Sequence, residues 1–270
     1  MILNEDGSMS KNKIHSILKI ASPLIALLCA VFCALAFGYA FDKGVGYFNP
    51  NPLTYIFYAL LGLTVACGIV CGITAEKQEA SDTLPNRKVM GVILMCSFAF
   101  YLVSFLITPK PDYMTFTVAG KLKLDFYHMI HIGANISAAH FGILAFSPKN
   151  SLKNVKILTG IAPVITAILI ATSSYFDHSQ AINSPIKLLL EFSLAAFALY
   201  YILELRLYTP APRNKLMSAV SIVSIALSLC GGVAMIFQII FYSGFTLVNF
   251  ATAILLATMA SCAASKLLEP

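Results

Sequence analysis

The sequence predicts an all-α fold, a polytopic membrane helix bundle of about eight transmembrane helices. Three observations carry this expectation. Of 270 residues, 59% are hydrophobic and only 11% charged, whereas soluble domains carry roughly 25% charged residues. Apolar runs recur along the whole chain at the length of about 20 residues that a hydrocarbon core of about 30 Å requires. Lysine and arginine sit in short groups between those runs and alternate in abundance from one side to the other, as cytoplasmic loops require.

Taken in order, residues 1–19 read as a cytoplasmic tail, the first ten of them polar and disordered. The first apolar run is Ile20–Phe41, preceded by Lys11, Lys13 and Lys19. Its 22 residues exceed the roughly 7–15 of a signal-peptide core, and Gly38-Tyr39-Ala40 is a weak cleavage match, so it reads as an uncleaved first helix. Further uncharged runs are Leu53–Ala75, Val89–Pro109, Phe126–Pro148 and Ile157–Phe176. A sixth, Ile186–Leu205, contains Lys187, Glu191 and Glu204. Leu216 to Ser265 is free of charge and as one helix would be about 75 Å long. It must turn back, and Tyr242-Ser243-Gly244 is the natural place, because glycine tolerates turn geometry. The bundle is thus expected over 20–265, with 266–270 as a short cytoplasmic tail.

Thirteen lysines and arginines fall on the side of the chain ends: Lys11, Lys13, Lys19, Lys77, Arg87, Lys88, Lys149, Lys153, Lys156, Arg206, Arg213, Lys215 and Lys266. The other side has five, Lys43, Lys110, Lys121, Lys123 and Lys187. This bias predicts a cell-membrane protein with both termini cytoplasmic. The net charge of +6 therefore reflects topology and points to the lipid bilayer rather than nucleic acid as the partner.

Two connectors on the outer side look alike. One reads Phe41-Asp42 and then Asn51-Pro52-Leu53; the other reads Phe176-Asp177 and then Ser184-Pro185-Ile186. Proline suits a helix start because its missing N–H would be unpaired there anyway. The match raises a parallel four-plus-four repeat about the membrane normal, with chance similarity as the alternative. The longest outer connector, Pro109–Asp125, has one uncharged stretch, Tyr113–Gly120, too short to cross and placed at the interface or over a site.

Ionisable groups inside spans are costly and mark candidate sites. The fourth segment is the richest, with His128, His131, Asn135, Ser137 and His140. His131 and Glu191 each lie six residues in from the outer end of their segment, about 9 Å, and Gln238 lies about 6 Å in. The expected ligand-binding set is His128, His131, Asn135, Glu191 and Gln238, in which a carboxylate beside a histidine could hold a proton or a cation. The bland readings are a headgroup-level His128, a structural His131–Glu191 contact and an interhelical Gln238 hydrogen bond. His140, nine residues after His131, points roughly the other way.

Seven cysteines all lie inside apolar runs. Cys29/Cys33 and Cys67/Cys71 have the i,i+4 spacing of metal half-sites, but buried cysteine ordinarily packs as a small hydrophobe, and a disulfide framework is not expected. Gly68-x-x-x-Gly72, and Gly133, Ser137 and Gly142, are packing signals. Gly231-Gly232 could break the seventh helix or allow a tight crossing. No P-loop, Gly-x-Ser-x-Gly, His-Glu-x-x-His or Cys-x-x-Cys is present; cofactor and metal stay undefined.

The connector Phe41-Asp42, Gly46-Tyr47-Phe48 resembles that of uncharacterised multi-pass membrane proteins of Gram-positive bacteria. The resemblance implies no activity. Three functions compete. One is a small transporter or transporter subunit with a polar site in the outer half of the bundle. Another is a membrane sensor or accessory protein that binds a partner through its helices, whether another membrane protein or a second copy. The third, a haem protein, is poorly served: axial ligands must come from opposite sides, and the histidines off the fourth segment, His15 and His178, lie outside the expected spans.

Overall fold

A computed structural model describes residues 11–75, 88–110, 114–118, 122–148, 151–177, 181, 183–208, 216–243 and 246–268. The first ten residues, Tyr113 and Gly120 therefore lie outside the described residues. Eight helices are long and apolar enough to cross a membrane: α1 (Lys11–Ala40), α2 (Pro52–Thr74), α3 (Lys88–Ile107), α4 (Phe126–Phe146), α5 (Lys153–Tyr175), α6 (Pro185–Leu205), α7 (Leu216–Gln238) and α8 (Leu247–Leu267). The chain is an integral membrane protein of the helix-bundle class. Two short hairpins complete it, β1 (Phe41–Asp42) with β2 (Tyr47–Phe48), and β3 (Thr115–Val118) with β4 (Leu122–Asp125). Both follow odd-numbered helices and so share one end of the bundle, the hairpin end; the chain's first and last helices begin and finish at the opposite end.

Helix ends follow from local chemistry. The Asn51 side chain accepts from the Leu53 backbone N–H at 2.9 Å and Pro52 opens α2. Ser184 caps α6 through the Lys187 backbone N–H, again with proline first. Side-chain capping of this kind satisfies N–H groups that the helix itself leaves unpaired. In the β1–β2 turn, Asp42 Oδ1 accepts from the Gly44 and Val45 backbone N–H groups, and Gly46 takes a φ of 81°, where a side chain would be strained. The resemblance between these two connectors is thus real at the helix starts.

Beyond the helix starts, the halves diverge. From α3 to α8 each helix packs on the next, and α8 closes back onto α3, giving a six-helix ring. α1 and α2 form a hairpin that packs against α7 from outside the ring. α6 lies along α7, but α2 and α3, their counterparts in a four-plus-four division, share no comparable interface; α3 pairs with α8 instead. The similarity of the halves is therefore confined to helix starts and does not extend to helix arrangement.

Two boundaries differ from the sequence reading. α1 begins at Lys11, inside the stretch read as a tail, and carries His15 within it, with the ring Nδ1 3.2 Å from the Cys71 carbonyl oxygen. α8 runs past Ser265 to Leu267. α7 passes unbroken through Gly231-Gly232 and loosens only at a π-helical turn over Ile239–Ser243, at the expected reversal. The glycine pair serves a tight crossing. A Cβ on Gly231 would lie 2.9 Å from Ser193 Cβ and 3.1 Å from the Leu189 carbonyl oxygen of α6. α7 borders α1, α2, α6 and α8, which is why so long a stretch holds small and apolar residues and no charge.

Candidate functional site

The structure does not bring the five expected site residues together. α5 lies between α4 and α6, and α4 shares no substantial interface with α6 or α7. On α4 the face toward α5 carries Gly133, against Thr166, and Ser137, whose hydroxyl is 3.3 Å from that of Thr166. At about 100° per residue, His131 lies some 200° around the helix from Gly133, so it turns away from α5 and from Glu191 beyond it. His131 is half-buried and Asn135 exposed, its amide donating to the His131 carbonyl at 3.1 Å. Gln238 is half-buried in the last turn of α7, on the far side of the ring from α4. Equal depth was legible in the sequence; which helices are neighbours was not.

His128 sits at the start of α4 with its side chain 71% exposed. Its Nδ1 lies 2.8 Å from Asp125 Oδ2, and Lys110 Nζ is 2.5 Å from the same oxygen. Asp125 also caps α4, accepting from the His128 backbone N–H. Desolvation pushes the Asp125 carboxyl upward, but Lys110, the His128 ring and the His128 N–H together outweigh it and hold the pKa at about 2, below the ordinary 3.8. A carboxyl depressed in the fold contributes stability above its ordinary value and loses it as pH falls through the folded one. We expect Asp125→Asn to lower the thermal midpoint in detergent at neutral pH, and the gap to the wild type to narrow from about pH 4 down to about pH 2. A gap that stays constant over that window would contradict this account.

A buried polar link that the sequence reading missed joins three helices near the opposite end. His140 on α4 is fully buried. Its Nδ1 is 2.9 Å from Thr159 Oγ1 on α5 and its Nε2 is 2.5 Å from the Tyr201 hydroxyl on α6. Thr159 gives its own proton to the Val155 carbonyl at 2.7 Å, so it accepts from Nδ1–H. That leaves Nε2 to accept from Tyr201, and a neutral imidazole satisfies both ends. The signal was present: Gly133, Ser137 and His140 follow i, i+4, i+7 spacing, which puts His140 on the stripe where small residues let α5 approach.

One continuous buried core runs through the ring and mixes aliphatic side chains with aromatic stacks. Phe98 stacks on Phe141 at 5.6 Å between ring centroids, Phe197 on Tyr201 at 5.6 Å, Phe105 on Tyr127 at 4.6 Å and Phe126 on Phe176 at 5.9 Å. Phe105 and Phe126 lie near the hairpin end, and Tyr208 belongs to the same continuous core at the other. Among the described residues, no group of three or more His, Cys, Asp or Glu is arranged to hold a metal. Cys29 and Cys230 approach to 3.7 Å between sulfurs, buried among apolar side chains with Cys33.

The cavity that stands out is lateral. A groove of about 370 Å³ opens at the hairpin end between α2 and α6, under the residues of the β1–β2 hairpin. Phe57, Tyr58 and Leu61 form one wall and Leu188, Leu189 and Phe192 the other, and Asn49, Thr54 and Asn183 also line it. None of its lining residues is charged. Phe192 is 55% exposed, and Tyr55 and Tyr58 are exposed as well. No family model, curated protein or solved structure matches this chain.

Proposed function

We propose that this protein is a cell-membrane sensor or accessory protein that takes an uncharged amphiphile into the lateral groove between α2 and α6. One observation carries the reading: the cavity lies between two spans beside the exposed Phe192, while a continuous packed core occupies the ring. About 370 Å³ lies within the roughly 300–1,000 Å³ of ordinary ligand pockets. Apolar walls with asparagine and tyrosine among the lining residues suit an acyl chain with a hydroxyl, ester or carbonyl head, as in a neutral glyceride. A phosphate head would find no cation among the lining residues. The thirteen-to-five distribution of basic residues supports an extracytoplasmic hairpin end and so an opening in the outer leaflet.

One experiment tests both parts. Asn49 is exposed and lines the groove. An Asn49→Cys variant is expected to react with a membrane-impermeant maleimide in intact cells, and the reaction in membranes is expected to slow about tenfold when monoolein is added. Leu189→Trp, which fills the groove, should abolish that protection. Labelling only after cell lysis would refute the orientation, and labelling indifferent to monoolein would refute the groove. A second reading, a small transporter of protons or cations, is favoured by one observation: Glu191, within α6, has an enclosed carboxyl oxygen with no hydrogen-bond partner. It requires a path to open through the packed core.

A further inference from the structure

We infer that Glu191 is a proton-binding site, a carboxyl carried protonated within the membrane, whose deprotonation draws Lys187 off the end of α5. The inference goes beyond the groove and stands whether or not the groove takes a ligand. Glu191 lies six residues into α6, about 9 Å along the helix from Pro185. Its Oε1 is shut off from solvent and has no hydrogen-bond partner. The residue as a whole is only partly buried, and it lies within a segment long and apolar enough to span the membrane. An ionised carboxylate there has neither water nor a donor at the enclosed oxygen, whereas the neutral acid tolerates both deficits.

The natural counter-charge is otherwise engaged. Lys187 sits one turn before Glu191 and is 2% exposed, and its ammonium donates to the backbone carbonyl of Asp177, just past α5. Among the described residues of the helices packed on α6, α7 has no charged side chain, and Lys153 and Lys156 on α5 and Lys266 on α8 lie at the opposite end of the bundle. Lys187 and Asp177 are therefore the charged groups near Glu191. When Glu191 releases its proton, the carboxylate competes for the ammonium four residues back, the i,i+4 spacing of a helical ion pair. The Asp177 carbonyl then loses the Lys187 ammonium and the start of α6 loosens from the end of α5, so proton occupancy is read out as order at residues 183–188.

The test uses the full chain in phosphatidylcholine vesicles and dicyclohexylcarbodiimide, a lipid-soluble reagent for protonated carboxyls. The acid proton moves to a carbodiimide nitrogen while a carboxyl oxygen bonds to the central carbon. The O-acylisourea then rearranges to an N-acylurea that keeps the whole reagent, with no leaving group. Peptide mass mapping of the wild type is expected to find the adduct at Glu191 at least tenfold above any other carboxyl, falling as pH is raised. Lys187→Met should extend the labelling to higher pH, since it removes the cation that favours the carboxylate. Over the same pH range, hydrogen-exchange protection of residues 183–188 should fall in the wild type and hold in Glu191→Gln. No adduct at Glu191 in the wild type, or equal labelling by a water-soluble carbodiimide, would overturn the proton site. Adduct formation with protection independent of pH would overturn the coupling to α5.

Discussion

Gly231→Val is expected to lower the thermal midpoint of the detergent-solubilised protein by about 5–10 °C. The crossing of α6 and α7 allows no side chain there. A Cβ would fall 2.9 Å from Ser193 Cβ and 3.1 Å from the Leu189 carbonyl oxygen, and closer still to the Ser193 hydroxyl. That hydroxyl cannot rotate away cheaply, because it lies within hydrogen-bond reach of the Leu189 carbonyl on its own helix and 2.5 Å from the Leu227 carbonyl on α7. The helices must separate, which weakens that bond and strips contact from the core. Overpacking costs about 1–3 kcal/mol and occasionally more, and about 2–4 °C accompanies each kcal/mol in a chain of this size. Gly62 is the control. It has nothing within 4 Å of a would-be Cβ, so Gly62→Ala should be neutral or stabilise by up to about 1 kcal/mol through helix propensity. Equal losses at both positions would mean that the crossing is not the cause.

The elements were legible because the bilayer imposes a simple rule on length and polarity. Eight spans, the reversal near Tyr242 and the proline-led starts at Pro52 and Pro185 follow from it directly. The arrangement of spans did not follow. Hydropathy assigns a depth to His131, Glu191 and Gln238 but not an azimuth, and azimuth depends on which helices pack together. The pairing of α3 with α8 and the placing of α1 and α2 outside the ring are long-range choices made by packing. Short spacings carried part of that information. The stripe Gly133, Ser137, His140 marked the buried face of α4, and His131 lay off it. The lateral groove draws its walls from α2 and α6, helices far apart in sequence, and no local pattern announces it.

His140→Ala is expected to destabilise the bundle by about 3–5 kcal/mol, and Tyr201→Phe by about 1 kcal/mol. The first change deletes two hydrogen bonds, each worth about 1 kcal/mol net, and leaves a cavity where a fully buried ring had packed, of the kind that costs about 2–5 kcal/mol in large-to-small core substitutions. The second keeps the ring stacked on Phe197 and edge-on to Phe141 and loses only the hydroxyl that donates to Nε2. Because the backbones of α4 and α6 share no substantial interface and these helices meet through His140, Phe141 and Tyr201, this link should also show as coupling. With His140 already gone, Tyr201→Phe should cost nothing further, so a double-mutant cycle should return about 1 kcal/mol of interaction, within the range found for residues in one network. Equilibrium unfolding in mixed micelles of graded denaturing detergent measures all three variants. His140→Gln separates bonding from packing. An amide can donate to Thr159 or accept from Tyr201 but is too short to span both, so it should fall between the wild type and His140→Ala. Additive losses in the cycle would show that His140 and Tyr201 merely pack side by side, and that the hydrogen bond between them does not tie α4 to α6.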